Sequence, residues 1–137
     1  MKKLFFFAAL LALALTAKAQ DVVFVVHRDL TETTLSAEDV KNILLGNLTK
    51  WPKGPVIKLV ILTEGPVQTK VIRDHTQRTP DQFDKFWKRK VFTGTGIMPA
   101  QVQTEAEVIA YVAANPGAIG YVSKPNASEK VRILPVN

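Results

Sequence analysis

The residues that could carry covalent or acid–base chemistry are few in this 137-residue sequence, and they are widely separated. Cysteine is absent, and the serines are Ser36, Ser123 and Ser128. None lies in a Gly-x-Ser-x-Gly elbow, and Ser36 fits a helix N-cap. The two histidines, His27 and His75, lack the spacing of a metal site. We therefore predict that the protein is not an enzyme and has no metal centre.

Two further patterns are weak signals of chemistry. Gly94-Thr95-Gly96 is similar to part of a phosphate-cradling loop, but it lacks a third glycine and a Lys-Ser/Thr pair. A flexible turn between helices is the better interpretation. Asp81 and Asp84 lie one helical turn apart, which is typical of any charged helix face. No cofactor is indicated.

Short apolar runs alternate with helix start signals along the chain. The predicted strands are Val22–Val26, Val56–Leu62, Ala118–Val122 and a last one within Val131–Val136. Helices are predicted to begin at Ser36, Gly65-Pro66, Thr79-Pro80 and Thr104. This alternation favours an α/β fold: a single three-layer domain with a mostly parallel sheet covered on both faces.

Helical spacing also predicts which side chains face the core. In the third helix the apolar face is Phe83, Phe86, Trp87 and Val91. In the fourth helix the predicted inner face is Ala106, Ile109, Ala110 and Ala113.

Residues 1–19 have the three-part layout of a secretory signal peptide. A basic start at Lys2-Lys3 precedes the apolar run Leu4–Leu15, and Ala17-Lys18-Ala19 supplies the small residues of a cleavage site. The run is too short for a stable membrane span. We predict cleavage after Ala19, a domain over residues 20–137 in the periplasm, and no membrane insertion after cleavage.

The charge balance argues against nucleic acid as a partner. The formal net charge is +6, and it falls to +3 when Lys2, Lys3 and Lys18 leave with the signal peptide. Nucleic-acid binders usually show a dense basic stripe. The strongest basic cluster, within Lys85–Lys90, is best interpreted as a solvated helix face.

Three segments together carry a family resemblance. They are Leu35–Val40 running into Ile43–Trp51, Phe86-Trp87 followed by Val91–Gly94, and Pro116–Val122. In this order the sequence resembles the periplasmic phosphate-binding proteins of ABC uptake systems, which have the type 2 periplasmic-binding-protein fold. Those proteins have two lobes that close on the anion. This sequence resembles the second lobe alone, so the resemblance implies a ligand on an open face.

The resemblance also indicates where a ligand would bind. In the family, the second strand runs into an Arg-x-Asp-x-Ser-Gly-Thr segment that holds phosphate. Here Leu62 stands at the arginine position, Pro66 at the serine position, and Glu64 keeps a carboxylate. The ligand contacts that the resemblance implies are Thr63, Glu64, Gly65, Gln68 and Thr69. A plain strand-to-helix turn is the alternative interpretation of this stretch.

Two functional hypotheses follow. The first is an exported, single-lobed protein similar to phosphate ABC transporter substrate-binding proteins, which binds phosphate or a related oxyanion weakly. A membrane transporter or another periplasmic protein would be its partner. The second is a protein-interaction module that keeps the fold and docks a partner through the former ligand face or the Lys85–Lys90 surface.

Overall fold

Five strands form one sheet with helices on both faces, in a computed structural model that describes residues 21–137. The predicted signal peptide lies outside the described residues. The strands are β1 (Val22–Val26), β2 (Lys58–Leu62), β3 (Ala100–Val102), β4 (Ala118–Ser123) and β5 (Arg132–Leu134). The α-helices are α1 (Ala37–Leu44), α2 (Pro66–Thr76), α3 (Pro80–Phe92) and α4 (Glu105–Ala114), and a 3₁₀ turn covers Lys124–Asn126.

The sheet has the strand order β3-β2-β4-β1-β5. Its core is parallel, because β2 pairs in parallel with both β3 and β4. The first strand runs the other way and pairs antiparallel with β4 and β5. The predicted α/β fold is confirmed, and the first three predicted strands do share one sheet. The reversed β1 makes the complete sheet mixed around its parallel core.

Two adjacent residues of β4 show that the helices cover opposite faces. A Cβ on Gly120 would lie 2.6 Å from Val108 of α4. The helix α4 therefore packs on the face of the sheet to which a side chain at position 120 would point. The next side chain, Tyr121, contacts Gln68 of α2. Because successive side chains of a strand point to opposite faces, α2 and α4 lie on different sides of the sheet. The predicted three-layer arrangement is therefore confirmed.

The buried face of α4 differs from the predicted one. Its buried side chains are Val108, Ile109 and Val112, whereas Ala106 and Ala110 are exposed. Only Ile109 of the predicted set is buried. The physical reason is Gly120, because its missing side chain lets the two valines approach the sheet closely. Larger apolar side chains then remove more surface from water than the alanines would.

The strand β3 was not predicted, because its sequence Ala-Gln-Val is short and has no β-branched run. In α3, Phe83 and Trp87 are buried as expected. Phe86 is only half-buried and meets the edge of the Trp87 ring, and Val91 is exposed. Among residues 21–137, no helix is long and apolar enough to cross a membrane.

Two indole rings connect the segments that carry the family resemblance. The Trp51 N–H donates to the Gly117 carbonyl at 3.0 Å, and the Trp87 N–H donates to the Leu44 carbonyl at 3.0 Å. Gly46, with φ +70°, lies under the Trp87 ring, where a Cβ would come within 2.5 Å of it. Both rings are almost fully buried. These residues therefore hold the fold together.

We expect Trp87→Ala to lower the free energy of unfolding by about 3–5 kcal/mol, because it removes a buried ring and leaves a cavity. Urea denaturation measures the loss. Phe92→Ala is the matched control, since Phe92 lies on the same helix and is 92% exposed. Equal losses in the two variants would contradict the packing described for α3.

Candidate functional site at the carboxyl edge of the sheet

The carboxyl ends of the parallel strands meet at one edge of the sheet. Thr63, just after β2, donates its N–H to the carbonyl of Val102 in β3 at 3.0 Å. The helices α2 and α4 begin at this same edge, four and three residues beyond the ends of β2 and β3. In open α/β sheets, ligands bind outside the carboxyl ends of the strands. This edge is therefore the candidate site.

The start of α2 is open, meaning that no side chain caps its first N–H groups, whereas the starts of the other three described α-helices are capped. Ser36, Thr79 and Thr104 cap α1, α3 and α4 with side-chain oxygens. At α2 the N-cap is Gly65, which offers no side-chain hydrogen bond, and the first turn holds no acidic residue. An uncapped helix start presents backbone N–H groups and the positive end of the helix dipole. It can therefore attract an anion.

The structure brings three of the five predicted contact residues to this helix start. Thr63, Glu64 and Gly65 are exposed there. The Thr69 hydroxyl donates to the Gly65 carbonyl at 3.1 Å, so its proton is already used within the helix. Gln68 points inward and is 5% exposed.

A buried hydrogen-bond chain explains the position of Gln68. The Tyr121 hydroxyl donates to the Gln68 side-chain oxygen and accepts the Leu62 N–H at 3.1 Å. Burial raises the pKa of Tyr121 above its usual value, although the bond to Leu62 opposes this shift. The phenol thus remains protonated and keeps both bonds. In this arrangement the Gln68 oxygen stabilises the core.

Leu62, at the family's arginine position, is a core residue here. Its side chain is 3% exposed, so an arginine at this position would bury an unpaired charge. The next residue, Thr63, is exposed beside the open helix start. A basic side chain that contacts a ligand at the start of α2 would therefore have to stand at position 63 or later in the chain.

Glu105 is a residue of this edge that the sequence reasoning missed. Its carboxylate accepts the N–H and the hydroxyl of Ser123, the last residue of β4, with the hydroxyl at 2.6 Å. The Asn126 amide donates to the same hydroxyl at 3.0 Å. The only sequence signal was an acid directly after the N-cap Thr104. Glu105 thus satisfies both donors of Ser123, which is buried.

Within the described part of the chain, no group of three His, Cys, Asp or Glu side chains is arranged to hold a metal ion.

Comparisons with known proteins place the fold. The PBP superfamily domain matches residues 15–131 of this sequence. The chain belongs to the PBP superfamily. No curated protein matches the sequence significantly.

Solved structures similar to this PBP superfamily chain include phosphate transport proteins. An ABC-type phosphate transport receptor from Vibrio cholerae has a TM-score of 0.60 and 16% identity, and the match covers 85% of this chain and 46% of the receptor. PstS from Borrelia burgdorferi has a TM-score of 0.65 and 20% identity, with coverage of 86% and 47%. This chain thus spans slightly less than half the length of each. The predicted resemblance is confirmed at the level of the fold of one lobe.

Tyr121→Phe should lower the free energy of unfolding by about 1–3 kcal/mol, because it leaves the Gln68 oxygen and the Leu62 N–H buried without their partner. Chemical denaturation measures this loss. Tyr111→Phe is the control, since the Tyr111 hydroxyl forms no hydrogen bond within residues 21–137. A Tyr121→Phe variant as stable as the control would contradict the proposed chain of bonds.

The stability of the same two variants should respond differently to alkaline pH. Since the pKa of Tyr121 is raised by folding, the unfolded chain loses this proton more readily than the folded one. The stability that Tyr121 contributes is complete below a pH of about 10 and declines as the pH rises above it. Tyr121→Phe should show a shallower alkaline decline than Tyr111→Phe.

Proposed function

We propose that this protein is an exported, single-lobed relative of phosphate ABC transporter substrate-binding proteins that binds phosphate or a related oxyanion weakly. The observation that carries the proposal is the open start of α2, the one helix start without a side-chain cap among the four described α-helices. Its position at the carboxyl edge of the sheet agrees with the rule for ligands in α/β folds. Membership of the PBP superfamily, and a fold shared with a phosphate transport receptor, support a binding role.

The contacts at the site follow from which groups remain available. The backbone N–H groups of Val67 and Gln68 lie in the first turn of α2, and Pro66 contributes none. The Thr63 hydroxyl is exposed beside them. A protonated phosphate could also donate a hydrogen bond to Glu64. Thr63, Glu64 and Gly65 would then surround the ligand, and Gln68 would contribute its backbone N–H. Thr69 would have no free donor, because its N–H and its hydroxyl both donate to the Gly65 carbonyl.

Binding should be weak for reasons that the structure makes specific. Leu62 leaves the site without the family's arginine, and Glu64 opposes any anion that cannot donate a hydrogen bond to it. Exposed charges are screened by salt, so the affinity should fall as ionic strength rises. A transporter in the membrane, or another periplasmic protein, would be the partner. The role is transport-related binding, and it involves no catalytic step.

Glu64 should set the preference between phosphate and sulfate. Phosphate carries a proton near neutral pH and can donate to Glu64, whereas sulfate cannot. We expect Glu64→Gln to strengthen sulfate binding about two- to fivefold, the range expected for a charge near a helix start. The affinity for phosphate should increase by a smaller factor. Titrations followed by NMR or calorimetry at low salt measure both affinities.

Glu38→Gln is the matched control, because Glu38 lies in the first turn of α1, whose start is capped by Ser36. It should leave both affinities unchanged. Thr63→Arg should strengthen the binding of both anions, because it adds a cation at an exposed position. If folded Thr63→Arg binds neither anion at millimolar concentration, oxyanion binding is wrong and the protein-interaction hypothesis becomes the better account.

Export makes a separate prediction. In a bacterial host, the protein recovered from the periplasm should have the mass of Gln20–Asn137, because Ala17 and Ala19 match the positions read by signal peptidase. Intact-mass spectrometry of the periplasmic fraction measures this. A full-length mass, or recovery only from the cytoplasm, would contradict export.

A further inference from the structure

An apolar groove lies at the amino edge of the sheet, opposite the candidate oxyanion site. It has a volume of about 480 Å³ and runs between the first residues of β2 and the segment that leads into β3. Its apolar lining includes Ile43, Leu48, Leu59, Ile97, Met98 and Tyr111. The function proposed above does not use this groove.

The walls of the groove indicate the size of its occupant. Ile97 lines it and is 90% exposed, and Val56 lines it and is 60% exposed. Small-molecule pockets bury about 70–90% of the surface of their ligand, which walls this open cannot do. A protein segment that packs over Ile97 and Val56 would remove their exposed apolar surface from water. The groove is therefore better suited to a protein segment than to a small ligand.

Three lysines give the groove a positive rim. Lys58 lines it directly, and the Lys90 stem packs against its glycines Gly46 and Gly96. Lys50 lies opposite Val56 in an isolated β-bridge. None of the three lysines forms an ion pair with any carboxylate of residues 21–137, and the lining contains no acidic residue. By contrast, Lys85 and Lys88 on the outer face of α3 pair with Asp81 and Asp84.

We propose that this groove docks a segment of another protein that places apolar side chains in the groove and carboxylates against the lysine rim. Charge complementarity of this kind raises the association rate and excludes partners of the wrong sign. The proposal does not depend on oxyanion binding. It gives a location, away from the former ligand face, to the protein-interaction hypothesis.

The other possible occupants fit less well. A symmetric second copy would bring the same lysines together across the interface. A membrane surface would not fill a concave groove, because membrane-binding surfaces insert a projecting apolar face. A strand added to β3 would meet Pro99, which has no N–H, at the start of a three-residue edge strand. Insertion of side chains is thus the mode that the geometry favours.

The test uses the purified protein and three labelled synthetic peptides: one of leucine and glutamate, one with lysine replacing glutamate, and one with serine replacing leucine. Fluorescence anisotropy should show saturable binding of the Leu/Glu peptide alone. Ile97→Glu and Lys58→Glu should each weaken it by about tenfold, as expected for central interface positions. Ile133→Glu is the control, because Ile133 is an exposed isoleucine on β5, at the other side edge of the sheet.

Each contrary result overturns the proposal. It fails if the Leu/Glu peptide does not bind at millimolar concentration, if the Leu/Lys peptide binds equally well, or if Ile97→Glu binds as tightly as Ile133→Glu. Sedimentation showing a dimer that Ile97→Glu abolishes would assign the groove to a second copy. Binding to phosphatidylglycerol vesicles that Ile97→Glu abolishes would assign it to a membrane surface. Thermal unfolding of each variant checks that it is folded.

Discussion

One buried phenol determines how the carboxyl edge of the sheet is built. The ladder between β2 and β4 covers only Lys58–Ala118 and Leu59–Ile119, and further along the Leu62 N–H turns to the Tyr121 hydroxyl. The same hydroxyl holds Gln68 at the start of α2. A buried polar group without a partner is costly, so strand, helix and phenol must keep their positions together. The shape of the candidate site follows from this constraint.

The residues that identify the family are separate from those that would hold a ligand. Trp51 and Gly117 join the loop after α1 to the start of β4, and Gly46 makes room for Trp87. They all serve packing or backbone geometry. The segment Thr63–Pro66 lies at the other edge and is exposed, so its sequence can differ without loss of the core. A fold shared with phosphate transport proteins is therefore compatible with a different ligand chemistry.

Local signals in the sequence predicted the parts of the fold that depend on neighbouring residues. The caps at Ser36, Thr79 and Thr104 and the buried pair Phe83 and Trp87 are of this kind. The direction of β1, the short strand β3 and the buried face of α4 depend on residues distant in sequence, such as Gly120. At the site, the open start of α2 was predictable. The inward turn of Gln68 was not, because it requires Tyr121, 53 positions away.

The Glu105 carboxylate accepts hydrogen bonds from Ser123 as a bound anion would, but it is covalently part of the chain. Ser123 ends the strand next to β2, so its two donors belong to the edge where an oxyanion would approach. A tethered group acts at an effective concentration on the order of millimolar or higher, and a free anion must compete with it there. This internal carboxylate leaves the proposed external anion only the groups around the start of α2.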